Sequence, residues 1–218
     1  MQAGEHRMKE QAHWENFYAS KAAPEHPSQF AAFALGECAP RAVVDFGCGN
    51  GRDSLFFGRQ GISCISVDSS GAAVQHCRSR AEEQGLKHVN FIESCVQEPE
   101  LGQEIVRSLR NIGAEPPVMC YARFFIHAID EDSEMMLLEH VACILSNFDG
   151  KFCAEFRSTR DKSLEKATAE HFRRFVDVPA FIGRTHAQGF RCSYLVEGFG
   201  MAKFKNDDAY VVRVVLER

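Results

Sequence analysis

The sequence lacks an excess of basic residues: 25 lysines and arginines stand against 30 acids, for a formal charge of −5 in 218 residues. Nucleic-acid binding draws on a basic face that displaces counterions, so nucleic acid is not an expected partner. No apolar run reaches the roughly twenty residues that span a bilayer, and no membrane association is expected. The nine cysteines include no Cys-x-x-Cys pair. That removes the usual zinc-ligand spacing, so no metal is expected. An odd cysteine count without framework spacing points to free thiols in a reducing cytoplasm. The polar, charged N-terminus (MQAGEHRMKEQAHWENF) does not read as a signal peptide. There is no internal repeat, low-complexity segment or linker. With 218 residues, 45% of them hydrophobic, the chain reads as one α/β domain over residues 1–218.

The most informative stretch is Val43 to Ser54, VVDFGCGNGRDS. A short apolar strand ends in an acid, Asp45, and runs into glycines at 47, 49 and 51. With no Cβ, these glycines allow a sharp turn and a close approach to a ligand. A second strand, 62–67, ends in Asp68 about twenty residues on. In parallel sheets ligands sit at the carboxyl ends of strands. Both acids would therefore face one crevice, Asp45 toward a cation and Asp68 toward the two hydroxyls of a ribose. The pattern is Gly-x-Gly-x-Gly, not the Gly-x-Gly-x-x-Gly of dinucleotide sites. With Asp45 before it and Arg52-Asp53 after it, the loop is a poor phosphate cradle and a good site for a nucleoside with a zwitterionic tail.

These residues resemble the glycine motif of the class I S-adenosylmethionine (SAM) methyltransferases. The resemblance runs from about Trp14 to the C-terminus and is most specific between 43 and 70. It implies a Rossmann-like α/β fold: a seven-stranded, mostly parallel sheet with helices on both faces and a C-terminal antiparallel hairpin. It implies SAM as cofactor and a small-molecule partner, with the chain a monomer or homodimer. Gly47, Gly49 and Gly51, with Cys48 between them, would line it. Asp45 would face the methionine amine, Arg52 the carboxylate tail, and Asp68 the ribose, with Ser69 alongside. The stretches YARFFIHAID, EFRSTRD and KFKNDD resemble a bacterial subgroup of small-molecule methyltransferases. Some of its members accompany surface-glycan and phosphoramidate or phosphonate modification.

Along the chain, residues 6–20 read as a helix with Trp14, Phe17 and Tyr18 on one face. Within an N-terminal helical cap (1–40), such a helix often closes over the cofactor in the resembled family; packing alone would also explain the aromatics. Ser28 caps a helix over 29–37. Helices follow at 53–60, 72–84 (capped by Ser69 or Ser70) and 101–112, with a strand at 89–93 after the second of these. After that strand the family carries an acid for adenine; here Cys95 stands in its place, and the Val96 amide could serve the ring. Val118 to Phe125 is a fourth strand. On it, Tyr121 could pack on the sulfonium or in the core. Asp132 or Ser133 caps a helix over 134–148, a fifth strand covers 151–156, and a last helix spans 179–188. Two β-rich runs, 192–204 and 209–216, form a hairpin joined at 206–208. The segment 157–178 is longer than an ordinary strand–helix loop and is expected on the substrate side.

Two histidines could act as a general base: His127, at the lip of strand four, and His171, in the crossing segment. Arg123, Arg157, Arg173 and Arg174 could converge on an anionic acceptor, because guanidinium forks suit carboxylate and phosphate; pairing with the chain's own acids is the competing reading. The leading expectation is therefore methyl transfer from SAM to an oxygen of an acidic small molecule. A nicotinamide-dependent oxidoreductase is a second reading, marked by NAD binding. A non-catalytic SAM-binding protein is a third, marked by slow turnover and a stable partner complex.

Overall fold

The computed structural model describes residues 25–164, 172–204 and 206–218. Trp14, Tyr18 and His171, and the helix expected over 6–20, lie outside the described residues. The strands are β1 (Ala42–Phe46), β2 (Ser63–Asp68), β3 (Val89–Glu93), β4 (Val118–Arg123), β5 (Gly150–Arg157), β6 (Arg191–Gly198), β7 (Lys203–Phe204), β8 (Asp207–Asp208) and β9 (Val211–Glu217). The helices are α1 (Gln29–Cys38), α2 (Arg52–Arg59), α3 (Gly71–Glu83), α4 (Leu101–Asn111), α5 (Glu131–Asn147) and α6 (Val178–Ala187).

Seven strands make one sheet in the order β3-β2-β1-β4-β5-β9-β6. The first five pair in parallel, and β9 runs antiparallel between β5 and β6. The strand order reverses between β1 and β4, which leaves a crevice at their carboxyl ends, where ligands bind in open α/β sheets.

Helix starts follow local chemistry. The Ser28 and Ser70 hydroxyls accept from the amides of Ala31 and Ala73 and cap α1 and α3. Ser69 takes no part in the cap. The expected cap at Asp132 or Ser133 is corrected to Asp130, whose carboxylate accepts from the Ser133 amide. The earlier start places Glu131, Asp132 and Glu134 in the first turn, where the helix dipole favours acids. The C-terminal antiparallel pair is present, but its first strand ends at Gly198 and not at 204. Gly200 adopts φ +81° and its amide donates to Asp208 Oδ1 at 2.7 Å. The chain therefore leaves the sheet there and folds β7 and β8 into a separate ribbon before β9.

The two sheet faces differ. Val44, Phe46, Ile65, Val67, Val118, Cys120, Ala122, Phe152, Ala154, Phe156, Val212, Val214 and Leu216 form one apolar layer under α4, α5 and α6. On the other face Val43, Cys64, Met119, Tyr121, Cys153 and Val215 pack under α1, α2 and α3. Alternation of side chains across the sheet puts Asp45, Ser66, Asp68, Arg123, Glu155, Arg157 and Arg213 on that second face, toward the carboxyl ends of the parallel strands.

Candidate active site

The site is built on the turn between β1 and α2. Gly47, Gly49 and Gly51 all have positive φ (69°, 55° and 70°), a region that side chains other than glycine adopt at a cost. A Cβ on Gly47 would come within 2.3 Å of the Phe125 ring, and one on Gly51 within 2.7 Å of Cys77 Sγ. The turn is held from below: the Gly47 and Cys48 amides donate to the Val67 carbonyl, and the Cys77 thiol donates to the Gly49 carbonyl at 3.2 Å.

Asp68 ends β2 beside this turn. Its carboxylate accepts from the Gly49 amide at 2.8 Å and the Ser70 amide at 2.9 Å. Asp45 stands on the neighbouring strand, buried, and accepts from the Ser54 hydroxyl at 2.6 Å. Burial pushes its carboxyl up to about 7, against the Ser54 bond, with Asp53 and Asp68 adding to the rise and Arg123 opposing it. Ser66, in register with Asp45, has a buried hydroxyl with no hydrogen-bond partner among the described residues. A carboxyl poised to ionise, an unused hydroxyl and a second carboxylate on the adjacent strand make a donor and acceptor set that fits an amine-bearing nucleoside.

Asp53 holds the frame of the site, a role that motif reading missed. Its buried carboxylate accepts from the Ser28 amide (2.7 Å), the Ser28 hydroxyl (2.8 Å) and the Tyr121 hydroxyl (2.8 Å). It therefore ties the starts of α1 and α2 to β4 around the glycine turn. The only sequence signal is an acid in the first turn of a helix that follows glycines. Tyr121 is accordingly an interior side chain. It is fully buried, stacks on Phe30 with centroids 5.1 Å apart, and gives its hydroxyl to Asp53, which is the core placement of the two readings. Burial and the Asp53 charge hold its phenol well above the ordinary value. Arg52 lies half-buried with its Nε 3.8 Å from Asp53 Oδ1. Burial, then the like charge of Arg123, lowers its pKa.

On the far wall, Cys95 is half-buried after β3. The Val96 carbonyl accepts from His140 Nε2 at 2.8 Å, which fixes this turn against α5.

His127 sits at the lip of β4 as expected, in a short 3-10 turn (Ile126–Ala128), and is buried. The Arg157 amide donates to its Nδ1 at 3.1 Å. With Nδ1 accepting, the ring proton lies on Nε2, so that nitrogen can donate but cannot receive a proton. This bond joins β4 to β5 through the His127 ring.

Most of the arginine cluster does not converge on an open bay. Arg123 Nε meets Glu155 Oε1 at 2.9 Å, and Arg213 Nε meets Glu155 Oε2 at 2.8 Å. Those three residues stand in register across β4, β5 and β9. Arg157 is buried between Asp161 and Asp207, each at 2.6 Å. Arg174 pairs with the fully buried Glu134, which Arg184 Nε also meets at 2.7 Å. These arginines pair with the chain's own acids, in the interior and not on a solvated surface. Arg173 is half-buried. Burial, then the neighbouring charge of Arg157, lowers its pKa, against Asp207 and Asp161.

Between the faces stands Phe124, whose φ of +56° is strained for an aromatic residue. Its ring lies 4.4 Å from the Arg123 guanidinium and edge-on to His127. Among the described residues no group of three or more metal-ligating side chains is found, and no helix is long and apolar enough to cross a membrane.

Residues 43–110 match a family described as a methyltransferase domain. This stretch runs from β1 through nearly all of α4. Solved structures share the whole fold at low identity. A SAM-dependent methyltransferase from Anabaena variabilis is 18% identical, with 95% of this chain and 94% of that chain covered and a TM-score of 0.67. The glycopeptide N-methyltransferase MtfA, solved with S-adenosyl-L-methionine, is 14% identical over 88% and 86% of the two chains, with a TM-score of 0.61. The cyclase SpnF is 11% identical over 98% and 94%, with a TM-score of 0.68. No curated protein matches the sequence.

Proposed function

We propose that this chain, whose residues 43–110 match a methyltransferase-domain family, is a class I S-adenosylmethionine-dependent methyltransferase that methylates a small molecule by positioning it and not by general-base catalysis. SAM is its methyl donor, and the sulfonium supplies an already activated methyl group. The observation that carries the reading is the pair of carboxylates on adjacent strand ends flanking the glycine turn, with Asp68 drawn onto it by the Gly49 and Ser70 amides. Asp68 would hold the ribose and Asp45 the amine, with Arg52 toward the carboxylate tail. Holding two reactants in attack geometry is worth up to roughly 7–11 kcal/mol in the best cases. Asp45 and the buried Asp53 also argue against a nicotinamide dinucleotide. They place negative charge at the head of α2, where a pyrophosphate would have to sit.

Among the described residues His127 uses Nδ1 to hold the Arg157 amide, which favours an acceptor atom that needs no base. An ionised carboxylate or phosphate oxygen meets that requirement, and it agrees with the resemblance to phosphonate- and glycan-modifying enzymes. Arg123, Arg157 and Arg174 do not support it, since each is paired internally. Arg173 lies half-buried in the crossing segment expected on the substrate side, and that position makes it the contact to test. The test is methyl transfer from labelled SAM to a panel of carboxylate, phosphate and amine acceptors, with Arg173→Ala alongside the parent. A rise in acceptor KM for anionic substrates alone supports the acidic acceptor. Preferred transfer to neutral amines removes it.

A further inference from the structure

The proposed reaction leaves the chain's thiols chemically unused, and two of them meet. Cys38 is the last residue of α1; Cys153 lies in the middle of β5. Their sulfur atoms are 3.1 Å apart although 115 positions separate them in sequence. Cys38 lies at the edge of exposure at 9%, while Cys153 is fully buried. Both are free thiols.

We infer that Cys38 and Cys153 form a hydroperoxide-sensitive thiol pair that closes into a disulfide, stapling the end of α1 to β5. The geometry sets the roles. Cys38 is the attacking sulfur, since it is the one that solvent reaches, and Cys153 is the resolving sulfur behind it. The charges around the pair agree. The Cys153 hydrogen bond lowers the Cys38 pKa; burial opposes this and Lys151 reinforces it, with Glu37 and Glu217 acting the other way. The same bond, with burial, raises Cys153 well above the ordinary thiol value. Lys151 Nζ is held over this corner by Glu217 at 3.1 Å and Glu37 at 4.0 Å. The Lys151 charge favours the Cys38 thiolate, the form that attacks.

The chemistry balances with peroxide as the oxidant. The Cys38 thiolate attacks one peroxide oxygen and the O–O bond breaks. This gives a Cys38 sulfenic acid, and the leaving hydroxide takes a proton to become water. The Cys153 sulfur then attacks the sulfenic sulfur, the S–S bond forms, and a second water leaves with the Cys153 proton. Two thiols are oxidised by two electrons in total, and one peroxide is reduced to two waters.

A second pair, Cys48 and Cys77, also shares a hydrogen bond, with Cys48 at 9% exposure and Cys77 fully buried; that bond and burial raise Cys48 well above the ordinary value, and Asp68 and Asp45 add to the rise, where Lys151 lowers Cys38. Cys64 and Cys120 are pushed up by burial as well.

The test is to treat the native chain with a few equivalents of hydrogen peroxide, alkylate the remaining thiols, and map the non-reduced digest by mass spectrometry. The expected result is a Cys38–Cys153 cross-linked peptide and two fewer free thiols, reversed by dithiothreitol. In Cys153→Ser the cross-link is lost and dimedone traps a sulfenic acid at Cys38. Retention of all nine thiols overturns the inference. So does a Cys48–Cys77 link that forms first, or a Cys38 sulfenic acid that accumulates in the parent without closing. Because the readout is chemical, it stands whether or not the chain transfers methyl groups.

Discussion

The two faces of the sheet are built from the same strands and do different work. Under α4, α5 and α6 the layer is apolar from end to end, from Val118 through Ala122 on β4 and from Phe152 through Phe156 on β5. Under α1, α2 and α3 the same strands begin apolar and turn polar toward their carboxyl ends. Met119 gives way to Tyr121 and Arg123 on β4, Cys153 to Glu155 and Arg157 on β5, and Val43 to Asp45 on β1. The first face therefore supplies burial, and the second pairs every buried charge it carries with a neighbour of opposite sign or a hydrogen bond. Asp45 has the Ser54 hydroxyl but no opposite charge at bonding distance among the described residues, and the Ser66 hydroxyl beside it has no partner there.

The largest effects should separate the faces by what they change. Phe152→Ala on the apolar face is expected to cost about 3–5 kcal/mol of stability, with SAM affinity of the remaining folded protein unchanged by calorimetry. Glu155→Ala on the polar face should cost a similar 3–5 kcal/mol, roughly, because it leaves Arg123 and Arg213 buried without a counter-charge. A Glu155 variant as stable as the parent in urea denaturation would break the comparison.

Asp68→Ala comes next. Loss of charged hydrogen bonds worth roughly 1.5–3 kcal/mol each should weaken SAM about a hundredfold while the melting temperature shifts little. A smaller effect on affinity, with a larger one on stability, would make Asp68 a cap and nothing more.

Asp45→Asn sharpens the comparison, since affinity and stability should move in opposite directions. The folded-state pKa is about 7, above the unfolded value near 3.9. The contribution of Asp45 to stability is therefore present below about pH 4 and is lost as pH rises through 7. Removing the ionisation should stabilise the cofactor-free protein at pH 8, by at most roughly 4 kcal/mol, and weaken SAM about tenfold. In the parent, SAM affinity should fall as pH drops below 7 and level off above it. The Asp45→Asn substitution should flatten that profile; a profile that persists in the variant would place the titration elsewhere.

The smallest effect is expected at His127. A general base contributes 10²- to 10⁴-fold, but His127→Asn, whose side-chain oxygen can accept the Arg157 amide in place of Nδ1, should change kcat by less than about tenfold. A hundredfold loss would restore the base.

The architecture is legible in the sequence because its signals are local. The apolar strands, the glycines at 47, 49 and 51 and the acids at 45 and 68 lie within a few residues of each other and obey short-range rules. The arginines mislead because their partners are remote. Arg157 finds Asp207 fifty positions away, and Arg123 and Arg213 share Glu155 only once β4, β5 and β9 are aligned. No spacing in the chain announces such pairs. Asp53 is hidden for the same reason: its partners, Ser28 and Tyr121, belong to the start of α1 and to β4. The role of His127 turns on a backbone amide thirty residues away, which no motif encodes.

The central claim is that the carboxylates beside the glycine turn bind a sulfonium nucleoside. Calorimetric titration with SAM and S-adenosylhomocysteine, with NAD as control, tests it most directly when run at pH 6 and pH 8 on the parent and Asp68→Ala. The account expects both sulfur nucleosides to bind, more tightly at pH 8, with proton release near pH 6 and about a hundredfold loss in Asp68→Ala. Binding that ignores Asp68, or binding of NAD in place of SAM, would contradict it.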